Sequence, residues 1–168
     1  MMGMRKGGHY DPLRFVREFH DVAPPPSPAR LSEVLVEDPG EKYNLSERAW
    51  EGLREHRRRH EEKGHGFGYT LIEPPFEGAV TRTMMARYYK DGSEILIWRG
   101  DGLTPRRLTP LECFRLQGFP AKVEGWFDGT REQPVSDTQA YKQAGNSIAV
   151  PVATSIAMGM ARVLRSTT

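Results

Sequence analysis

The sequence predicts an α+β protein: a small β-rich lobe flanked by helices, with a further helix at the C-terminus that packs on something else. Three observations carry this expectation. Helix-initiation signals stand at Ser46, Thr109 and Ser136; the stretch from Gly64 to Trp98 is dense in Gly, aromatic and β-branched residues; and Val152, Ile156, Met160 and Val163 recur on one face of a final apolar run. The 168 residues carry 24 Lys plus Arg, 22 Asp plus Glu and one Cys, which suits one compact domain or two small lobes and excludes a disulfide framework. With Gly counted in and Tyr left out, about 45% of the chain is apolar, the lower edge of globular usage. A core is therefore available, and a mean hydropathy of −0.61 keeps much of the surface polar or reserved for a partner.

Several classes drop out at once. A net charge of +2 is too small to announce nucleic acid by itself, so the distribution of charge has to carry that question. No stretch near the start combines a basic run with an apolar core and a small-residue cleavage site, so secretion is not expected and a reducing, cytoplasmic setting is. The uncharged run Gln143 to Ala161 contains Asn146, Ser147, Pro151, Thr154 and Ser155, which makes it a poor membrane span and a better buried helix with its lead-in.

Taken in order, residues 1–41 hold a basic start, a short amphipathic candidate at Pro12 to His20 and the stiff Pro-rich spacer Ala23 to Pro28. Ser46 caps a helix running through Ala49, Trp50 and Leu53 to Lys63, with one apolar and one Arg-rich face, and Gly64 stops it. Short strands and tight turns follow, with Asp91-Gly92 as a hairpin signal and Glu94 to Trp98 as a half-buried strand. In Thr109-Pro110-Leu111-Glu112, Thr109 is the N-cap, Pro110 the first helical residue and Glu112 the reciprocal member of a capping box. Leu108 and Cys113 stand where a hydrophobic staple sits, and Gly118 ends the helix. Ser136 with Gln139 opens a second boxed helix that stops near Gly145, and the last helix starts near Pro151, with Gly159 marking close packing. No internal repeat is present. The expected divisions are 1–41, a lobe at 42–105, and 106–168.

Few residues invite chemistry. Cys113 lies inside a capped helix without a neighbouring acid and base, and reads as a structural buried thiol, so no catalytic residue is assigned. His56 and His60 share a helix face, with His65 nearby, but Arg57, Arg58 and Arg59 would repel a cation; no metal is expected. Those arginines fit a solvated face or phosphate contact, and both readings stay open. Gly64, Gly66 and Gly68 follow a helix, so they do not form a dinucleotide loop; they permit close backbone approach between Phe67 and Tyr69, or make a plain turn. Thr81 to Asp91 sets Thr, Arg, Tyr, Lys and Asp around a turn. Such a ribbon fits a major groove, although exposed strands often carry the same residues without a ligand.

Two stretches are less generic. RRLTPLECFRLQGFP (Arg106 to Pro120) and VSDTQAYKQAGNSIAVPVA (Val135 to Ala153) resemble conserved blocks nine and ten of DNA cytosine-5 methyltransferases. Upstream, KYNLSERAW, KGHGFGY and TRTMMARYYKDGSEILI look like the target-recognition region of Dcm-type enzymes, which modify CCWGG. The resemblance covers roughly Lys42 to Ile156 and leaves out the segment to about His20. It departs from the usual pattern at Leu111, where the family has Arg, at Phe114, where it has Ala, and in a shorter linker before block nine.

The resemblance implies two DNA-recognition loops. Gly66, Phe67, Gly68 and Tyr69 would form one; Thr81, Arg82 and Thr83, then Arg87, Tyr88, Tyr89, Lys90 and Asp91, would form the other, with Arg87, Tyr88 and Lys90 foremost as base or phosphate contacts. Arg107 and Glu112 would brace the lobe. Gly145, Asn146 and Ser147 would lie against the methionine end of S-adenosylmethionine. Family members attack a flipped cytosine with a Cys, assisted by a Glu, yet the FxGxG, Pro-Cys, Glu-Asn-Val and QRRxR blocks are missing here. The expected role is thus the small subunit of a split enzyme: it binds double-stranded DNA, shares the cofactor with a catalytic Rossmann-like chain, and contacts no membrane. Met1, Met2 and Met4 suit a natural separate gene. A stand-alone DNA-binding module or an inactive fragment is the alternative.

Overall fold

The computed structural model describes residues 30–66, 68–127 and 132–165. Two compact units emerge: one is Ala29–Ser147, and the described part of the other is residues 148–165. The amphipathic candidate Pro12 to His20 and the Pro-rich run Ala23 to Pro28 lie outside the described residues.

The first unit is built from capped helices around a minimal sheet. Helix α1 (Leu31–Val34) and a 3-10 turn (Glu41–Tyr43) precede α2 (Glu47–Glu62), whose N-cap Ser46 accepts the Ala49 amide. At its end Gly64 adopts φ 72°, and the amides of Gly64 and His65 donate to the carbonyls of Glu61 and His60. That double bond is the Schellman closure, which needs a residue that tolerates the left-handed region.

Strands β1 (Leu71–Ile72), β2 (Leu96–Ile97) and β3 (Arg106–Arg107) follow, ordered β1-β2-β3, with β1 parallel and β3 antiparallel to β2. The expected β-rich lobe is thus far leaner than its composition suggests. No hairpin forms at Asp91-Gly92. The amides of Tyr88, Lys90 and Gly92 instead donate to the carbonyls of Met85, Arg87 and Tyr88, so this segment coils as successive turns. The predicted strand Glu94 to Trp98 survives as two residues, Leu96 and Ile97, buried at the middle of the sheet.

Helix α3 (Pro110–Leu116) carries the predicted capping box in full, with Thr109 accepting the Glu112 amide and Glu112 accepting that of Thr109. Its C-terminus closes by a second Schellman pair, Gly118 to Arg115 and Phe119 to Phe114, and the rings of Phe114 and Phe119 meet edge-on at 5.1 Å. A 3-10 segment (Ala121–Trp126) leads on to α4 (Asp137–Asn146). Ser136 caps α4, but the structure shows no return bond from Gln139, so the second box is one-sided. The core of this unit joins Leu31 and Val34 of α1, Ile72, Ile95 and Ile97 of the sheet region, Leu108, Cys113 and Phe114, and Ala140, Tyr141 and Ala144 of α4.

The second unit's described element is α5 (Val150–Arg165), with Val152 and Met158 exposed and Gly159 buried. The stretch Asp137–Arg162 is long and apolar enough on average to invite comparison with a membrane span. It is nevertheless two helices, separated at Ser147, whose backbone is extended at φ −76°, ψ 153°.

Candidate nucleic-acid interface

The segment Val80 to Asp91 is held by two inward side chains, Met84 and Tyr88, of which Tyr88 is hydrogen-bonded in the core. Tyr88 has no exposed surface; its hydroxyl donates to the Ile95 carbonyl at 2.6 Å and accepts the Leu108 amide at 2.8 Å. Tyr141 of α4 donates to the Leu108 carbonyl at 2.6 Å, and the two tyrosine rings lie 5.5 Å apart. Burial pushes the Tyr88 hydroxyl well above its ordinary pKa, so it remains a neutral donor. Tyr88 must therefore be removed from the expected base or phosphate contacts. Its partners lie in the core, and it anchors the loop instead.

What this anchoring leaves outside is mostly cationic and polar, with Val80 and Met85 as exposed apolar residues. Arg82, Thr83, Arg87, Lys90 and Asp91 are exposed, Thr81 and Tyr89 half-buried. Arg107 donates to the Tyr89 carbonyl at 3.0 Å, and the Lys142 ammonium stands 5.1 Å over the Tyr89 ring. Gly92 adopts φ 64°, and a Cβ there would come within 2.7 Å of the Arg107 Cβ. Asp91-Gly92 thus serves a turn that admits Arg107 closely, which explains why a hairpin signal yields no hairpin.

Glu112 and Arg107 take separate partners. Both terminal guanidinium nitrogens of Arg106 bond the Glu112 carboxylate at 2.8 Å, and both residues are buried, while Arg107 holds the Tyr89 carbonyl. Glu112 also accepts the amides of Thr109 and Val36, at 2.6 and 2.9 Å, so all its bonding capacity is met in the interior. Alternation along a strand contains the signal for this: adjacent residues face opposite ways, so only one of Arg106 and Arg107 can reach Glu112. The off-pattern residues Leu111 and Phe114 are both buried, and Phe114 stacks on Phe127 at 5.4 Å.

The first expected recognition loop rests on α2. Phe67 lies outside the described residues. A Cβ on Gly68 would meet the Arg57 side chain at 2.9 Å, and the Tyr69 ring packs edge-on against Trp50 at 4.6 Å with the Arg57 guanidinium 5.0 Å away. Gly66 is exposed. The three consecutive arginines of α2 carry glutamate partners on the same helix: Arg57 with Glu61, Arg58 with Glu55 and Glu62, Arg59 with Glu55. Those pairs favour the solvated-face reading of the helix over phosphate contact. The rings of His56 and His60 lie 4.3 Å apart.

At the C-terminal end of α4, the expected cofactor residues differ among themselves. A Cβ on Gly145 would fall 2.4 Å from the Met85 carbonyl oxygen and 2.6 Å from the Ala86 nitrogen, so that side is filled by backbone of the Val80 to Asp91 segment. The Ser147 hydroxyl donates to the Ala144 carbonyl at 2.7 Å, and Asn146 is exposed. A cluster missed in the sequence stands at the other end: Asp137 accepts from Lys42 at 2.8 Å, Tyr43 at 3.0 Å and Gln133 at 3.0 Å. Burial works to raise the Asp137 carboxyl, but these hydrogen bonds prevail and hold it below its ordinary value. Cys113 is fully buried, and desolvation pushes its thiol well up.

The C-5 cytosine-specific DNA methylase family matches residues 1–162. The chain belongs to that family. The match starts at residue 1 and so takes in the N-terminal segment that the sequence motifs leave aside. This methylase-family chain is 46% identical over 144 residues to the DNA-cytosine methyltransferase of Escherichia coli K12, covering 77% of itself and 29% of that protein. To type II methyltransferase M.NlaX of Neisseria lactamica it is 45% identical over 134 residues, covering 80% of itself and 39% of the relative. It therefore spans between about three-tenths and two-fifths of these relatives. Among solved structures, S. pombe Dnmt2 methyltransferase superposes with a TM-score of 0.63 at 18% identity, over 95% of this chain and 49% of that one, which shows a shared fold.

Proposed function

We propose that this chain is the DNA-recognition subunit of a two-chain DNA (cytosine-5-)-methyltransferase, working in the cytoplasm within a restriction-modification system. The carrying observation is Cys113. Family chemistry calls for an accessible thiolate poised against a flipped cytosine, and the one Cys of these 168 residues has no exposed surface and a thiol driven toward its neutral form. Cys113 is thus not that nucleophile, which on this reading is supplied by a catalytic chain carrying the Pro-Cys, FxGxG and Glu-Asn-Val blocks.

On this reading Arg82, Thr83, Arg87, Lys90 and Asp91 meet duplex DNA, with Thr81 and Tyr89 at the edge and Gly66, Gly68 and Tyr69 as a second contact. Cations position the duplex through phosphates, and groups that reach base edges supply the sequence preference. S-adenosylmethionine, shared with the catalytic chain, supplies the methyl group. Exposed Asn146 fits a polar contact to its amino-acid end, whereas Gly145 and the Ser147 hydroxyl are engaged within this chain. The exposed Val152 and Met158 of α5 fit packing against the catalytic chain.

The test is transfer of tritiated methyl groups from S-adenosylmethionine to a CCWGG duplex, with this chain alone, the candidate catalytic chain alone, and the two mixed. Activity is expected only in the mixture. Methylation by this chain alone overturns the proposal.

A further inference from the structure

We propose that Met85 is an apolar base-contacting residue of the recognition loop, laid against base edges while the exposed Arg82, Arg87 and Lys90 of the same loop hold phosphates. The inference rests on the reading that this loop meets duplex DNA, and it adds a specificity-determining residue that neither loop composition nor the motif blocks single out.

Met85 is 52% exposed, although its neighbour Met84 and nearby Tyr88 are 4% and 0% exposed. Isolated apolar residues on a surface are ordinary; what distinguishes Met85 is the rigidity beneath it. Its carbonyl accepts the Tyr88 amide at 2.9 Å, and its peptide lies on Gly145 so closely that a Cβ there would stand 2.4 Å from the Met85 oxygen and 2.5 Å from its carbonyl carbon. Tyr88, three residues on, is fixed by two buried hydrogen bonds. The backbone at position 85 is thus seated on α4 and pinned from the core, and the thioether side chain is the part left outside. Val80, 88% exposed, lies on the same loop.

The chemistry of the surroundings identifies the target. A duplex offers phosphates to cations, and in its grooves it offers base edges, including apolar ones such as the thymine methyl. A methionine cannot bond a phosphate, so among Arg82, Arg87 and Lys90 the base edge is the partner that suits it. Its flexible, polarizable side chain adapts to such a surface, and the fixed backbone limits the ordering required on contact.

The two kinds of contact leave different signatures in binding. Anisotropy titrations of the full 168-residue chain with a CCWGG duplex and a scrambled duplex, over a range of salt concentrations, separate them. In Met85→Ala the ratio of specific to nonspecific affinity should fall about tenfold, with the slope of log affinity against log salt unchanged. Met85→Leu should retain most of the ratio. Lys90→Ala should weaken both duplexes alike and reduce the salt slope by about one. Because Met85 is half exposed, Met85→Ala should melt as the parent does. An unchanged ratio in a Met85→Ala chain whose parent discriminates the two duplexes overturns this inference alone. A parent that discriminates neither alone nor with its catalytic chain overturns the DNA-recognition reading, and the inference with it.

Discussion

Tyr88 and Tyr89 are adjacent and chemically alike, yet Tyr88 is a core anchor and Tyr89 a half-exposed rim residue. Nothing in the local sequence distinguishes them. The choice comes from Ile95 and Leu108, which lie seven and twenty residues away along the chain and present the two backbone groups that the Tyr88 hydroxyl satisfies. Arg106 and Arg107 pose the same question, and Glu112 answers it by binding Arg106. Tyr88→Phe keeps the ring but strips a buried amide and a buried carbonyl of a partner, which costs about 1–3 kcal/mol per unsatisfied group. Chemical denaturation should show a destabilisation of at least that order, and an unchanged midpoint would contradict the anchoring role.

At the level of elements, helices and sheet differ in how far they could be read. Ser46, Gly64, Thr109, Pro110, Glu112 and Gly118 act within one turn of their own helix, so α2 and α3 begin and end where their caps place them. The sheet depends on partners far apart: Leu96 pairs with Leu71 on one side and Arg107 on the other. Asp91-Gly92 satisfies the local rule for a hairpin, but the burial of Tyr88 and the approach of Arg107 to Gly92 direct the chain into turns. The contact between α4 and the Met85–Ala86 backbone is equally non-local. Gly145→Ala should force a methyl group into the Met85–Ala86 backbone, which cannot yield as a flexible side chain would, and overpacking of this kind costs about 1–3 kcal/mol. A lowered thermal midpoint is the expected result; stability equal to the parent would show that the loop can shift away.

For the whole of the Ala29–Ser147 unit, the Lys42–Tyr43–Asp137–Gln133 cluster ties the segment ahead of α2 to the start of α4. The Asp137 carboxyl is held below its ordinary value near 4. A depressed carboxyl stabilises the fold at pH values above its unfolded pKa, and that contribution disappears as pH falls through the folded one. Since the pair is partly exposed, the contribution should stay under about 1 kcal/mol. Thermal melts of parent and Asp137→Asn should differ modestly at pH 6, and the gap should narrow steadily as the pH is lowered below 4. A gap that does not narrow over that range would assign the effect to packing instead of charge.

The sequence alone determined where the principal helices are capped, that Cys113 is interior, and which motif blocks link the chain to cytosine-5 methyltransferases. Each rests on residues close together in the chain, where short-range hydrogen bonds and apolar spacing act directly. Tertiary structure alone decided which of two neighbouring tyrosines or arginines turns inward, why position 145 excludes a side chain, and how lean the sheet is. Burial and close backbone approach are set by residues distant along the chain, and they override local preference wherever a buried polar group would otherwise lose its partner.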